Sequence, residues 1–180
     1  MTRVKLAMKF LQGFVAALIV LTTAAVAVAY SGIYNVAANA PRIPLLEWLL
    51  ATTSQNSVPV HANGIEVPAQ LTDQQARAGL KIYRETCVYC HGAPGQDPGD
   101  IGKGLNPEAP YLPDVTGALS SAELFWIIKN GIRMTGMASY GKVRDDGEIW
   151  SLVAFVQRMQ KMTPDKYKEM EQSVASASGA

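Results

Sequence analysis

The sequence is poor in charge, in cysteine and in histidine. Charged residues make up 17% of its 180 residues while apolar ones reach 48%; soluble domains carry roughly 25% charge. The formal net charge is +1, which excludes a strongly basic nucleic-acid binder and an acidic tail protein. Two cysteines cannot build a disulfide-dense scaffold. No internal repeat is visible, and no segment carries confident strand patterning. There is no Ser/His/Asp set, no phosphate-cradling loop and no pair of carboxylates with a plausible role, so no catalytic site is expected. The length suits one domain with an appendage.

The missing charge is concentrated at one end. Arg3, Lys5 and Lys9 precede a run, Phe10 to Ala40, without a charged residue, and its Phe14–Tyr30 core is rich in Ala, Val and Leu. About 20 mainly apolar residues suffice to cross a bilayer, and a crossing segment must be helical to satisfy its own backbone. Residues 1–40 are therefore expected to be a single-pass membrane anchor. The basic residues place the N-terminus in the cytoplasm and the rest of the chain outside it. A cleaved signal peptide is the alternative, with small-residue sites at Ala25-Val26-Ala27 and Ala27-Val28-Ala29, but the apolar core exceeds the usual signal length.

Residues 41–69 are expected to be an interfacial segment and linker. Ile43, Leu45, Leu46, Trp48, Leu49 and Leu50 give its start an apolar character suited either to the headgroup layer or to packing on a globular domain. Thr52 to Pro68 reads as polar loop. Residues 70–165 are expected to form the folded domain. Residues 166–180, ending in the Ser/Ala-rich stretch from Ser173, are expected to be a flexible tail.

Cys87-Val88-Tyr89-Cys90-His91 is C-x-x-C-H, the attachment signature of c-type haem. Residues three apart share a helical face, so two sulfurs can reach the two vinyl groups of one porphyrin as thioethers. His91 then offers its imidazole to the iron. A thioredoxin-like motif would need a βαβ context, and a zinc site would need further ligands, with His61 the only other histidine. A sixth iron ligand is available from Met134 or Met137, in a loop with two glycines, Gly131 and Gly136. Thioether ligation opposite histidine raises the reduction potential. Met159 and Met162 have the spacing of core residues. His61 is read as a solvent-exposed loop histidine, with a partner contact as the functional alternative.

Three capped helices are expected around this motif. Thr72 with Gln75 and Ser120 with Glu123 form capping boxes, and the last helix begins near Asp145 and ends before Pro164. Its apolar positions, from Ile149 to Met159, make a broad buried stripe. The stretch Pro94–Pro113 is expected to be a long loop, which a haem core would explain because the porphyrin replaces side chains.

Residues 70 to 163 resemble class I cytochromes c, most closely the membrane-anchored monohaem kind, and are similar to the cytochrome c domains of subunit III in high-affinity haem–copper oxidases. The resemblance rests on Cys87–Gly92, on Gly131-Ile132 through Thr135-Gly136-Met137, and on Ile149–Phe155. It implies an all-α fold, an N-terminal transmembrane helix followed by a class I cytochrome c domain wrapped around one haem c. It implies Met137 as the axial ligand opposite His91, although Ala138 stands where the family usually has proline. It also implies that the face carrying Gly79 and Tyr83 crosses the C-terminal helix near Trp150 and Phe155.

With both axial positions filled, one-electron exchange is the expected function, on the periplasmic side of a bacterial inner membrane. Expected partners are membrane lipid and redox proteins: a quinol-oxidising complex, a dehydrogenase or a terminal oxidase. A fixed subunit of a larger redox complex is the first alternative, and a haem-based sensor or peroxidase the second. Lys81, Lys103, Lys129, Lys142 and Arg133 are candidates for a docking patch, though a solvated face explains most of them.

Overall fold

In the computed structural model, which describes residues 2–177, the N-terminal part of the chain is one long helix, α1 (Thr2–Ser31), which takes in Arg3, Lys5 and Lys9 and the uncharged run as far as Ser31. Its Arg3–Ser31 stretch is long and apolar enough to cross a membrane, and none of its most apolar window is buried in protein. The chain divides into two units, Met1–Ala40 and Pro41–Ala180. The second is all-helical, with no strand among the described residues.

Its frame is the crossing of α3 (Asp73–Thr86) with the later helix α8 (Asp146–Met159). Both expected capping residues are in place. The Thr72 hydroxyl accepts the Gln75 N–H at 3.2 Å, and the Gln75 carbonyl oxygen accepts the Thr72 N–H at 2.9 Å. Asp145 and Glu148 make the same reciprocal pair at the start of α8. The buried stripe of α8, including Leu152, Val153, Phe155 and Met159, meets Ala76, Leu80 and Tyr83 of α3. Tyr83 and Phe155 pack with ring centroids 5.1 Å apart. Trp150 packs against the same core and stacks on Phe125, with ring centroids 4.3 Å apart.

Gly79 sets the depth of the crossing. A Cβ there would overlap the Ser151 carbonyl on α8, and neither backbone can yield without parting the helices. Gly79→Ala should therefore destabilise the domain at the upper end of the ~1–3 kcal/mol typical of overpacking. Urea unfolding checks this as a lower midpoint at unchanged m-value.

Between these helices the chain forms α4 (Val88–His91), α5 (Asp100–Lys103), α6 (Leu112–Val115) and α7 (Ser121–Asn130). The expected loop 94–113 thus holds two short helical turns. α7 starts on the expected Ser120–Glu123 capping box and buries Leu124, Phe125 and Ile128.

Two expectations are corrected. Residues 41–69 are not mostly linker: α2 spans Pro44–Ala62. Val58 and Ala62 are buried, α2 packs on α7, and the His61 ring lies 5.6 Å from that of Trp126. His61 is therefore a helical residue, its Nδ1 within 2.8 Å of the Ser57 carbonyl. The expected tail is also helical, α9 (Pro164–Ala177). Tyr167 is buried, with Met170 and Val174 against the core. Arg84–Glu171 (3.0 Å) and Arg77–Ser173 (2.6 Å) tie α9 to α3. Residues 178–180 of that tail lie outside the described residues.

Candidate haem site

The C-x-x-C-H motif sits where α3 gives way to α4. Cys87 ends α3, and its carbonyl accepts the N–H groups of Cys90 (3.1 Å) and His91 (3.0 Å). Cys87, Cys90 and His91 are thereby fixed on one tight turn. Tyr83 anchors the turn from below: its hydroxyl donates to the Gly92 carbonyl at 2.6 Å. Tyr111 donates to the next carbonyl, that of Ala93, at 2.8 Å. Both cysteines are half-buried and unpaired. Burial pushes the Cys87 thiol up to about 11, with the nearby Cys90 adding to the rise. A thiol held neutral is a poor metal thiolate and a poor redox nucleophile. Among the described residues, no three Cys, His, Asp or Glu side chains gather as a metal-ion site.

His91 is oriented by a contact the sequence did not reveal. Its Nδ1 lies 2.8 Å from the Pro110 carbonyl. A carbonyl can only accept, so Nδ1 carries the proton and Nε2 keeps a free lone pair. Burial also lowers the tendency of the ring to protonate. The result is a neutral imidazole with one nitrogen ready for a metal.

The methionine loop follows α7. Gly131 has φ +67°, which lets the chain reverse, and a Cβ there would lie 2.6 Å from the Met137 carbonyl. The Ile132 N–H donates to that carbonyl at 3.2 Å. Thr135 braces the interior: its hydroxyl donates to the Ile132 carbonyl (2.7 Å) and accepts the Met137 N–H (3.1 Å). Met137 packs against the same core as Cys87, whereas Met134 is 69% exposed. The loop is tied back to the motif at Tyr140, whose hydroxyl lies 3.4 Å from the Thr86 carbonyl. Leu105, from the proline-rich stretch, closes on Gly136.

Cys87, Cys90 and His91 thus share one turn, and the chain just after Met137 is tied to the residue before that turn through Tyr140 and Thr86. Met159 is fully buried in the core and Met162 half-buried against it, as their spacing predicts. Of the five candidate docking residues, Lys129 pairs with Asp146 at 2.6 Å and lies over the Phe125 ring. Two thiols three apart, an imidazole with Nε2 available and a braced thioether loop suit the chemistry of haem c. The residues missed from sequence are Pro110 and Tyr111, in the stretch expected to be a long loop around the haem, and Tyr140, whose partner Thr86 lies 54 residues away in sequence.

Residues 74–156, a little under half of the chain, match the family model for cytochrome c oxidase, cbb3-type, subunit III. No curated protein matches the chain. The matched segment runs from the first turn of α3 through the methionine loop to the buried stripe of α8. With the C-x-x-C-H turn, the oriented histidine and the all-helical frame, residues 74–156 have the makeup of a class I c-type cytochrome domain, a domain type that implies haem c and electron transfer.

Proposed function

We propose that the protein is a membrane-anchored monohaem cytochrome that passes single electrons on the periplasmic side of a bacterial inner membrane. The observation that carries this reading is the turn 87–91, with His91 held by Pro110 at 2.8 Å. Cys87 and Cys90 would bind one haem as thioethers, and His91 Nε2 and Met137 Sδ would hold its iron. When bound, the haem supplies one-electron exchange. The Pro110 carbonyl holds the proton at Nδ1 and fixes the plane of the ring. The Thr135 hydroxyl and the Ile132 N–H keep Met137 from swinging into water. A loop braced in this way needs little rearrangement when charge changes by one electron.

The anchor is α1. Its apolar length and the three basic residues near its N-terminal end, Arg3, Lys5 and Lys9, support an N-terminus in the cytoplasm. Tethering confines encounters to the membrane plane and raises the effective concentration near membrane partners. The expected donors are a quinol-oxidising complex or a dehydrogenase, and the expected acceptor is a terminal oxidase. The matching family is described as an oxidase subunit, and this favours a second reading, a fixed electron-transfer subunit of a larger redox complex.

Gentle solubilisation of membranes separates the two readings. A shuttle elutes alone, and a fixed subunit elutes with its complex. The oxidised protein should also show the weak red absorption band of methionine–iron ligation. Absence of that band, with rapid binding of an added ligand such as carbon monoxide to the reduced form, would instead indicate a sensor or peroxidase.

A further inference from the structure

Helix α2 divides into two halves with different surroundings. Its last turns are held by the haem domain: Val58 and Ala62 are buried, and His61 lies against Trp126 of α7. Its first turns touch little. Leu45 is 72% exposed and Trp48 62%, and Ile43, Leu46, Leu49 and Leu50 are exposed around them. Between the halves lies a belt of polar, uncharged side chains, Thr52 to Ser57.

Water alone does not suit the first half. Five large apolar residues crowd Leu45–Leu50, and at 3.6 residues per turn they cover an arc of about 200°, far wider than one core-facing stripe. An apolar arc of that width exceeds what one packed neighbour would cover, and in α2 it is left exposed. Charge tells the same story: from Phe10 to Ile65 the only charged side chains are Arg42 and Glu47, and they pair with each other at 2.8 Å. In sequence only residues 32–43 separate this half from the candidate membrane span. Tryptophan favours the boundary between hydrocarbon and headgroups.

We infer that the Pro44–Ala51 half of α2 is immersed end-on in the outer lipid interface, so that α2 is a rigid strut holding the haem domain at the membrane surface. This rests on the reading of α1 as an anchor. Eight residues of helix rise about 12 Å, enough to pass through a headgroup layer and reach the acyl boundary. The Thr52–Ser57 belt then lies in the wet outer zone. The other end of α2 packs on α7, with His61 against Trp126, so the strut moves with the haem domain.

The test uses the full-length holoprotein in vesicles of phosphatidylethanolamine and phosphatidylglycerol. With Cys87 and Cys90 engaged by haem, Leu45→Cys, Leu49→Cys and Gln55→Cys each supply one site for a nitroxide label, and an unchanged haem spectrum confirms folding. Labels at 45 and 49 should meet dissolved oxygen severalfold more, relative to an aqueous nickel chelate, than the label at 55. Equal access to the nickel chelate at all three positions would overturn the inference. So would shielding from both reagents with dipolar broadening between labels, which would make a second copy the occupant. Alkaline carbonate extraction tests the anchor separately: release of the whole protein into the supernatant would remove α1 as an anchor, whatever the labels report.

Discussion

Replacing Met137 with alanine should leave the haem attached and lower the reduction potential by on the order of 0.2 V, well inside the ≈ 0.8 V that axial ligation spans. The thioether is a soft ligand that favours the reduced iron, and water or a harder donor in its place favours the oxidised form. The red absorption band should vanish together with the potential shift. Met134→Ala should change neither, because Met134 is 69% exposed and sits at φ +63°, turned out of the core that Met137 packs against. Redox titration of the two variants is the check. A normal potential in Met137→Ala, with a lowered one in Met134→Ala, would transfer the ligand to Met134. Thr135→Val is a milder version: it removes the hydroxyl that accepts the Met137 N–H and should weaken the band without abolishing it.

Replacing both Cys87 and Cys90 with alanine should abolish covalent haem and leave the domain without a cooperative unfolding transition. The core explains why the loss reaches so far. Its dense part is the α3–α8 crossing, with Leu80, Tyr83, Leu152 and Phe155 buried. The site side is thinner, since Cys87, Leu112, Met137 and Tyr140 are only partly buried and the 94–115 stretch offers two four-residue helices. A domain near 100 residues buries a limited core, and its stability rests on a margin of about 5–15 kcal/mol. A ligand that binds only the folded state adds directly to that margin. Circular dichroism with thermal melting of the haem-free variant gives the answer. A stable, sharply melting haem-free domain would show that the polypeptide core suffices by itself.

What could be read in the sequence, and what could not, follows the range of the interactions. The starts of α3, α7 and α8 were legible because a capping box is local: a hydroxyl or carboxylate, three residues, and a Gln or Glu. The motif at 87–91 was legible for the same reason. α2 was not, because Thr52–Ser57 and Pro59 argue against a helix, and its last turns are secured by Val58, Ala62 and the His61–Trp126 contact with α7, which are tertiary. α9 was missed for a different reason. Pro164 was read as an ending, although proline at the first position of a helix opens one. Tyr167, Met170 and Val174 carry helical spacing that could have revealed the buried face. The Pro110 contact to His91 spans 19 residues and has no signature in a stretch of prolines and glycines.

The covalent link is the claim on which the rest depends, and it can be tested without knowing any partner. The holoprotein is denatured and extracted with acidified organic solvent, and the haem is counted on the polypeptide as its pyridine complex. The expected result is that the red colour stays with the chain, one haem per polypeptide, and is lost only when Cys87 and Cys90 are both replaced. Colour passing into the organic phase from the unaltered protein would contradict the thioether attachment and, with it, the assignment of Cys87, Cys90, His91 and Met137 as one site.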